Sequence, residues 1–138
     1  MTATHRDAVG TSLIAFERFV RINHVTVFRL AACLLGDAEK AEDVVEDLFV
    51  ELWCRKDRAL STAELLPAAV DRCLDRATTS PLHDALRRVG SPERTGWLLH
   101  DVLNFPAART AELLARTEPG FGLDLDRTRV ALSTFLKP

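Results

Sequence analysis

Apolar residues return at helical spacing along most of the chain. Leu13, Phe16, Phe19, Val20, Val27, Phe28, Ala31, Leu34 and Leu35 mark a long first stretch, with Ser12 as its expected N-cap. Asn23, His24, Val25 and Thr26 lie in mid-run, so this stretch reads as one helix or two. Gly36 suits a left-handed close, and Asp37 is placed to accept from the free N–H groups of the next helix. In that second helix Val44, Val45, Leu48, Phe49 and Leu52 form one broad apolar stripe, and Glu42, Asp43, Glu46, Asp47 and Glu51 fall opposite it. The stripe predicts a buried face. The acidic side is either solvated or a docking surface for a basic partner.

Cys54, Arg55, Lys56, Asp57 and Arg58 read as a mixed-charge helix end, and Leu60 to Ala63 as a turn with Ser61 or Thr62 as cap. A third helix follows through Leu65, Leu66, Ala69, Val70, Cys73 and Leu74, with Pro67 acceptable in its first turn and no deeper. Residues 77–81 are the expected linker. Five residues span at most about 17 Å, so the two halves are held close together. Beyond it, Leu82 to Val89 predict an amphipathic helix stopped at Gly90, Ser91 and Pro92. Trp97 to Leu103 predict another, Asn104 to Ala108 a turn, and Arg109 to Arg116 a short helix. In the last segment Pro119, Gly120 and Gly122 disfavour a helix interior, by roughly 1 kcal/mol per glycine and about 3 kcal/mol for a proline past the first turn. If they lengthen the preceding turn, the final helix starts near Asp124 with that residue as its cap.

The 138 residues, 47% hydrophobic and 28% charged, are ordinary for a soluble globular protein and argue against disorder, and the helical spacing along the chain makes the expected fold all-α. No apolar run approaches the roughly 20 residues needed to cross a bilayer, and residues 1–7 lack a signal peptide's apolar segment, so a cytoplasmic location is expected with no membrane contact. Cys33, Cys54 and Cys73 form no CxxC pair and have no histidine at ligand spacing, which argues against metal; Cys33 reads as a reduced core thiol. There is no Gly-rich phosphate loop and no paired nucleophile and base, so neither an enzyme nor a cofactor is expected. The net charge of -2 bears on nucleic acid. Splitting the chain at Ser80 gives 10 basic against 13 acidic residues before it and 8 against 7 after it, so neither half is a DNA-binding domain by charge alone.

Leu34, Leu35, Gly36 and Asp37, then Ala41 to Phe49, then Leu52 and Trp53 together resemble the core-binding region of extracytoplasmic-function sigma factors. Asp101 to Ala108 and Ala111 to Leu114 resemble the helix-turn-helix domain of the same family. The resemblance implies a sigma-2-like helical bundle over residues 1–76, the linker, and a sigma-4-like helix-turn-helix domain over residues 82–138. It implies that Asp43, Glu46, Asp47, Val50 and Glu51 dock on the beta-prime clamp helices of core RNA polymerase.

The family's promoter-reading positions depart from pattern. Glu64 stands where an aromatic residue is usual, Pro67 and Val70 where basic residues are common, and Asp71 at the family's asparagine. Arg72 and Arg76 remain as candidate phosphate contacts in the first half, and Arg127 and Arg129 in the second. Two readings follow. In the favoured one the chain is a sigma-like regulator whose promoter reading is weakened or lost, with polymerase, an anti-sigma factor, another sigma factor or a different transcription regulator as partner. In the alternative it is an authentic sigma factor of this family that opens promoters.

Overall fold

The structure, a computed structural model, describes residues 2–55, 61–76 and 80–136, and the side chains of the first helix from Leu13 onward. The expected helix end at Lys56, Asp57 and Arg58, the start of the turn at Leu60, and linker residues 77–79 lie outside the described residues. Among the described residues seven α-helices occur in this order: α1 (Thr2–Leu35), α2 (Ala38–Cys54), α3 (Thr62–Arg76), α4 (Pro81–Arg88), α5 (Ser91–Trp97), α6 (Ala107–Leu113) and α7 (Glu118–Phe135). A π-helical turn, Leu98–Val102, continues α5, and no strand occurs among the described residues.

α1 is one helix about 51 Å long. It begins ten residues before Ser12, which therefore stands in its interior instead of capping it. The polar mid-run does not break it because Asn23 is satisfied where it is buried. Its side-chain amide donates to the Phe19 carbonyl at 2.9 Å and accepts from the Thr62 hydroxyl at 2.9 Å, tying α1 to the start of α3.

Gly36 takes φ +68°, and the Asp37 carboxylate accepts from the N–H groups of Glu39 and Lys40 at 2.8 and 3.3 Å, so α2 starts as its sequence predicts. α2 runs back along α1, with Phe49 edge-on to Phe19 at 6.5 Å and Trp53 tilted against Phe16 at 5.0 Å. Val44, Val45, Leu48 and Phe49 are buried between α1 and α3.

Ser61 caps α3, its hydroxyl accepting from the Glu64 N–H at 3.2 Å and donating to the Glu64 carboxylate at 3.1 Å. Pro67 lies inside α3, deeper than its first turn, contrary to the sequence expectation. A proline there costs about 3 kcal/mol. Leu65, Leu66, Ala69, Val70, Cys73 and Leu74, all buried, offset it by some 1.5–3 kcal/mol for each large aliphatic. Cys73 is the core thiol, and burial pushes it up to about 12, whereas Cys33, expected in the core, faces outward.

In the second half, Ser80 caps α4 by accepting from the His83 N–H at 3.1 Å. α5 starts at Ser91, six residues before its expected beginning, because Pro92 falls in the first turn, where its missing N–H costs nothing. α6 starts two residues before Arg109 and ends at Leu113, and Ala115, at φ +55°, turns the chain towards α7. α7 begins at Glu118, not near Asp124. The Thr117 hydroxyl accepts from the Gly120 N–H at 3.1 Å, and Pro119 sits in the first turn. Gly96 on α5 allows Phe121 of α7 to pack closely, since a Cβ there would lie 2.8 Å from the Phe121 ring.

A single hydrophobic core runs through both halves. It contains Val27 and Leu30 of α1, Leu48 of α2, Leu65 and Val70 of α3, Leu86 of α4, Leu98 and Leu99 of the α5 extension and Leu132 of α7. Ala111, Phe121 and Leu125 form a smaller cluster under α6. The halves also share polar ties. The Arg29 guanidinium donates to the Leu103 carbonyl at 3.2 Å and lies 5.2 Å over Phe105; Arg87 donates to the Leu74 carbonyl at 2.7 Å; the His83 ring contacts the Leu34 carbonyl at 2.7 Å.

A shared core predicts one cooperative transition. The chain carries two tryptophans, Trp53 in the first half and Trp97 in the second. Trp53→Phe and Trp97→Phe each leave one reporter, and urea unfolding followed by fluorescence should match the helical signal in each variant. Separate midpoints for the two reporters would show that the halves unfold independently.

Candidate docking and nucleic-acid surfaces

Burial of one side of α2 leaves its acids on the rest of the cylinder, where they divide into two rows. Asp43, Glu46 and Val50 are exposed at i, i+3 and i+7, and Val50 keeps 57% of its surface in water. Among the described residues Asp43 and Glu46 have no ion pair, and Glu39 and Glu42 are exposed beside them. The second row, Asp47 and Glu51, lies towards α3. Asp47 meets Arg76 at 3.1 Å, and Glu51 holds both Arg55, at 2.5 Å, and Arg72.

Two of the arginines singled out for phosphate are thus held by two of the acids singled out for a protein partner. Hydrogen bonding from Arg72, then the charges of Arg72 and Arg55, keep the Glu51 carboxyl below the usual carboxylate range despite some desolvation. Arg129 forks onto Asp101 at 2.7 and 2.8 Å, which keeps that carboxyl low and its own guanidinium high. Arg127 is exposed without an ion pair among the described residues. Asp124 pairs with Arg116 at 2.8 Å instead of capping a helix.

A further group that joins the halves carries no mark in the sequence. The Arg94 guanidinium, 13% exposed, binds the carboxylate of Asp71 and donates to the carbonyls of Leu86 and Val89 at 3.2 and 3.3 Å. The Ser91 hydroxyl donates to the same Asp71 carboxylate at 3.0 Å. Asp71 stood out as an acid in place of an asparagine; Arg94, after a Gly-Ser-Pro stop, had no periodic or motif signal. Its effect is to seat α5 on the face of α3 that carries Asp71. Among the described residues no group of His, Cys, Asp or Glu is placed to hold a metal ion, and no helix is long and apolar enough to cross a membrane.

The lowered carboxyls make stability fall in acid. Each contributes stability that is present above its ordinary value, 4.5 for Glu51 and 3.8 for Asp101, and that is lost as pH falls through the lowered folded value. The urea midpoint should therefore decline below about pH 4.5. Arg72→Ala with Arg129→Ala should flatten that limb, and an unchanged limb would show that the pairs do not form in solution.

No family model matches the sequence, and no curated protein matches it. Among solved structures the chain is similar to the sigma factor RpoE of Bartonella quintana, determined in complex with the anti-sigma factor NepR. The TM-score is 0.51 at 16% identity, over 88% of this chain and 96% of that one. The chain has an all-α, sigma-factor-like fold.

Proposed function

We propose that the chain is a sigma-factor-like transcription regulator that docks on core RNA polymerase through the outer row of α2, with promoter reading weakened or lost. The observation that carries this is the division of charged groups. Asp43, Glu46 and Val50 stay exposed and uncommitted, whereas Arg72, Arg76 and Arg129 are engaged by carboxylates of the same fold. An exposed aliphatic flanked by free carboxylates suits a basic helical partner such as the polymerase clamp helices. Phosphate binding would first have to displace carboxylates from three of the four candidate arginines, and it would meet the acids of a chain whose net charge is -2. The α3 face that would read single-stranded promoter DNA offers no aromatic residue for stacking and is partly occupied by the Asp71–Arg94 contact.

One observation favours the alternative, an authentic sigma factor. α7 is continuous from Glu118, so proline and glycine do not interrupt the helix that would enter the major groove in a helix-turn-helix, and Arg127 remains free on it. An anti-sigma factor is the other partner to test, because the similar RpoE was determined with one.

Purified protein should capture core polymerase and fail to open promoters on genomic fragments. Asp43→Lys with Glu46→Lys should weaken capture at least roughly tenfold and reduce its salt dependence, while shifting stability by less than about 0.5 kcal/mol. Capture with promoter opening would establish the authentic sigma factor. Absence of capture would turn the search to anti-sigma factors and other protein partners of α2.

A further inference from the structure

α1 has a second face that the shared core does not use. Phe16, Phe19, Asn23 and Val27 point towards α2 and α3. Ile14, Arg18, Arg21, Ile22 and Val25 follow at i, i+4, i+7, i+8 and i+11, which places them on one stripe about 16 Å long on the other side. Ile14, Ile22 and Val25 are 61%, 65% and 63% exposed, among the most exposed large aliphatics of the chain. Beside them lies a shallow groove of ≈ 480 Å³ lined by Phe16, Glu17, Val20, Arg21, His24 and Val25, the Glu17 carboxylate standing at its edge without an ion pair to either arginine among the described residues.

The two cations on this stripe are unlike most arginines here. Among the described residues eight arginines are paired with carboxylates, namely Arg55, Arg72, Arg76, Arg87, Arg94, Arg109, Arg116 and Arg129. Among the described residues Arg18 and Arg21 have no ion pair, although acids outnumber bases in this half of the chain. The face therefore offers uncommitted positive charge alternating with aliphatic surface along three helical turns. A phosphate track would set cations among polar or aromatic groups, with no need of three aliphatics between them. A bilayer-seeking helix separates cations from its apolar side, whereas here both share one arc.

We propose that this outer face of α1 binds an amphipathic helix of a partner protein, whose carboxylates meet Arg18 and Arg21 and whose apolar residues cover Ile14, Ile22 and Val25. The site lies on the opposite side of α1 from its contacts with α2, so it does not rest on the polymerase reading, and the two partners need not compete.

Fluorescence anisotropy of the full chain tests it, using a labelled peptide of about five helical turns built from Glu, Leu and Ala heptads. Micromolar binding is expected, weakened at least roughly tenfold by Arg18→Glu with Arg21→Glu and also by Ile22→Ser. Asp43→Lys with Glu46→Lys should leave it unchanged, and circular dichroism should show that all variants stay folded. No binding, equal binding by the Arg18 and Arg21 variant, or equal binding of a peptide with Lys in place of Glu would overturn the proposal. Binding to vesicles containing anionic lipid, without binding to the peptide, would also overturn it and identify a membrane surface.

Discussion

The Arg94 guanidinium, together with the apolar core that both halves share, sets how the two halves are arranged. It meets Asp71 on α3 and the carbonyls of Leu86 and Val89 at the end of α4, from a position almost removed from water. A charge so placed needs every acceptor it has, and among the described residues its Nε atom has none. Removing Asp71 would leave it under-satisfied, at a cost of about 1–3 kcal/mol. Ser91 at the start of α5 binds the same carboxylate, so one acid aligns α3, α4 and α5. Leu98, Leu99 and Leu132 can then join the core begun by α1, α2 and α3.

Magnitudes decide which contacts close the structure. The pairs of Asp47 with Arg76 and Glu51 with Arg72 are largely or partly exposed, and water screens such pairs. They are too weak to lock anything. Burying a single leucine is worth about 1.5–3 kcal/mol, so the apolar core shared by both halves outweighs them. The surface ion pairs instead set which charges remain available: those facing α3 are neutralised in place, and the outer rows of α1 and α2 are left with opposite signs. A chain near electrical balance thus presents an acidic–aliphatic face and a basic–aliphatic face on different sides of its first two helices.

α2 was legible in the sequence because three signals agreed: the Gly36 close, the Asp37 cap and an apolar stripe that proved to be buried. Where such signals conflicted, tertiary contacts decided. α1 carries Asn23 through its middle because Thr62 satisfies it, and α3 carries Pro67 because the surrounding leucines are buried. α5 and α7 start earlier than their glycines and prolines suggested, since a proline in a first turn loses nothing. The candidate site was legible as an acidic face, but not as two rows, because pairing depends on which helix lies alongside. Arg94 and the Arg18–Arg21 stripe were invisible for the same reason: only the packing shows which arginines have found acids and which have not.

Small-angle scattering from the full chain in dilute solution at physiological salt tests most directly whether the two halves form one body closed over α3. The expected profile is one that the structure reproduces with a single population. A larger radius of gyration, with a profile that requires two bodies joined by a flexible segment, would contradict it and free α3 for other contacts.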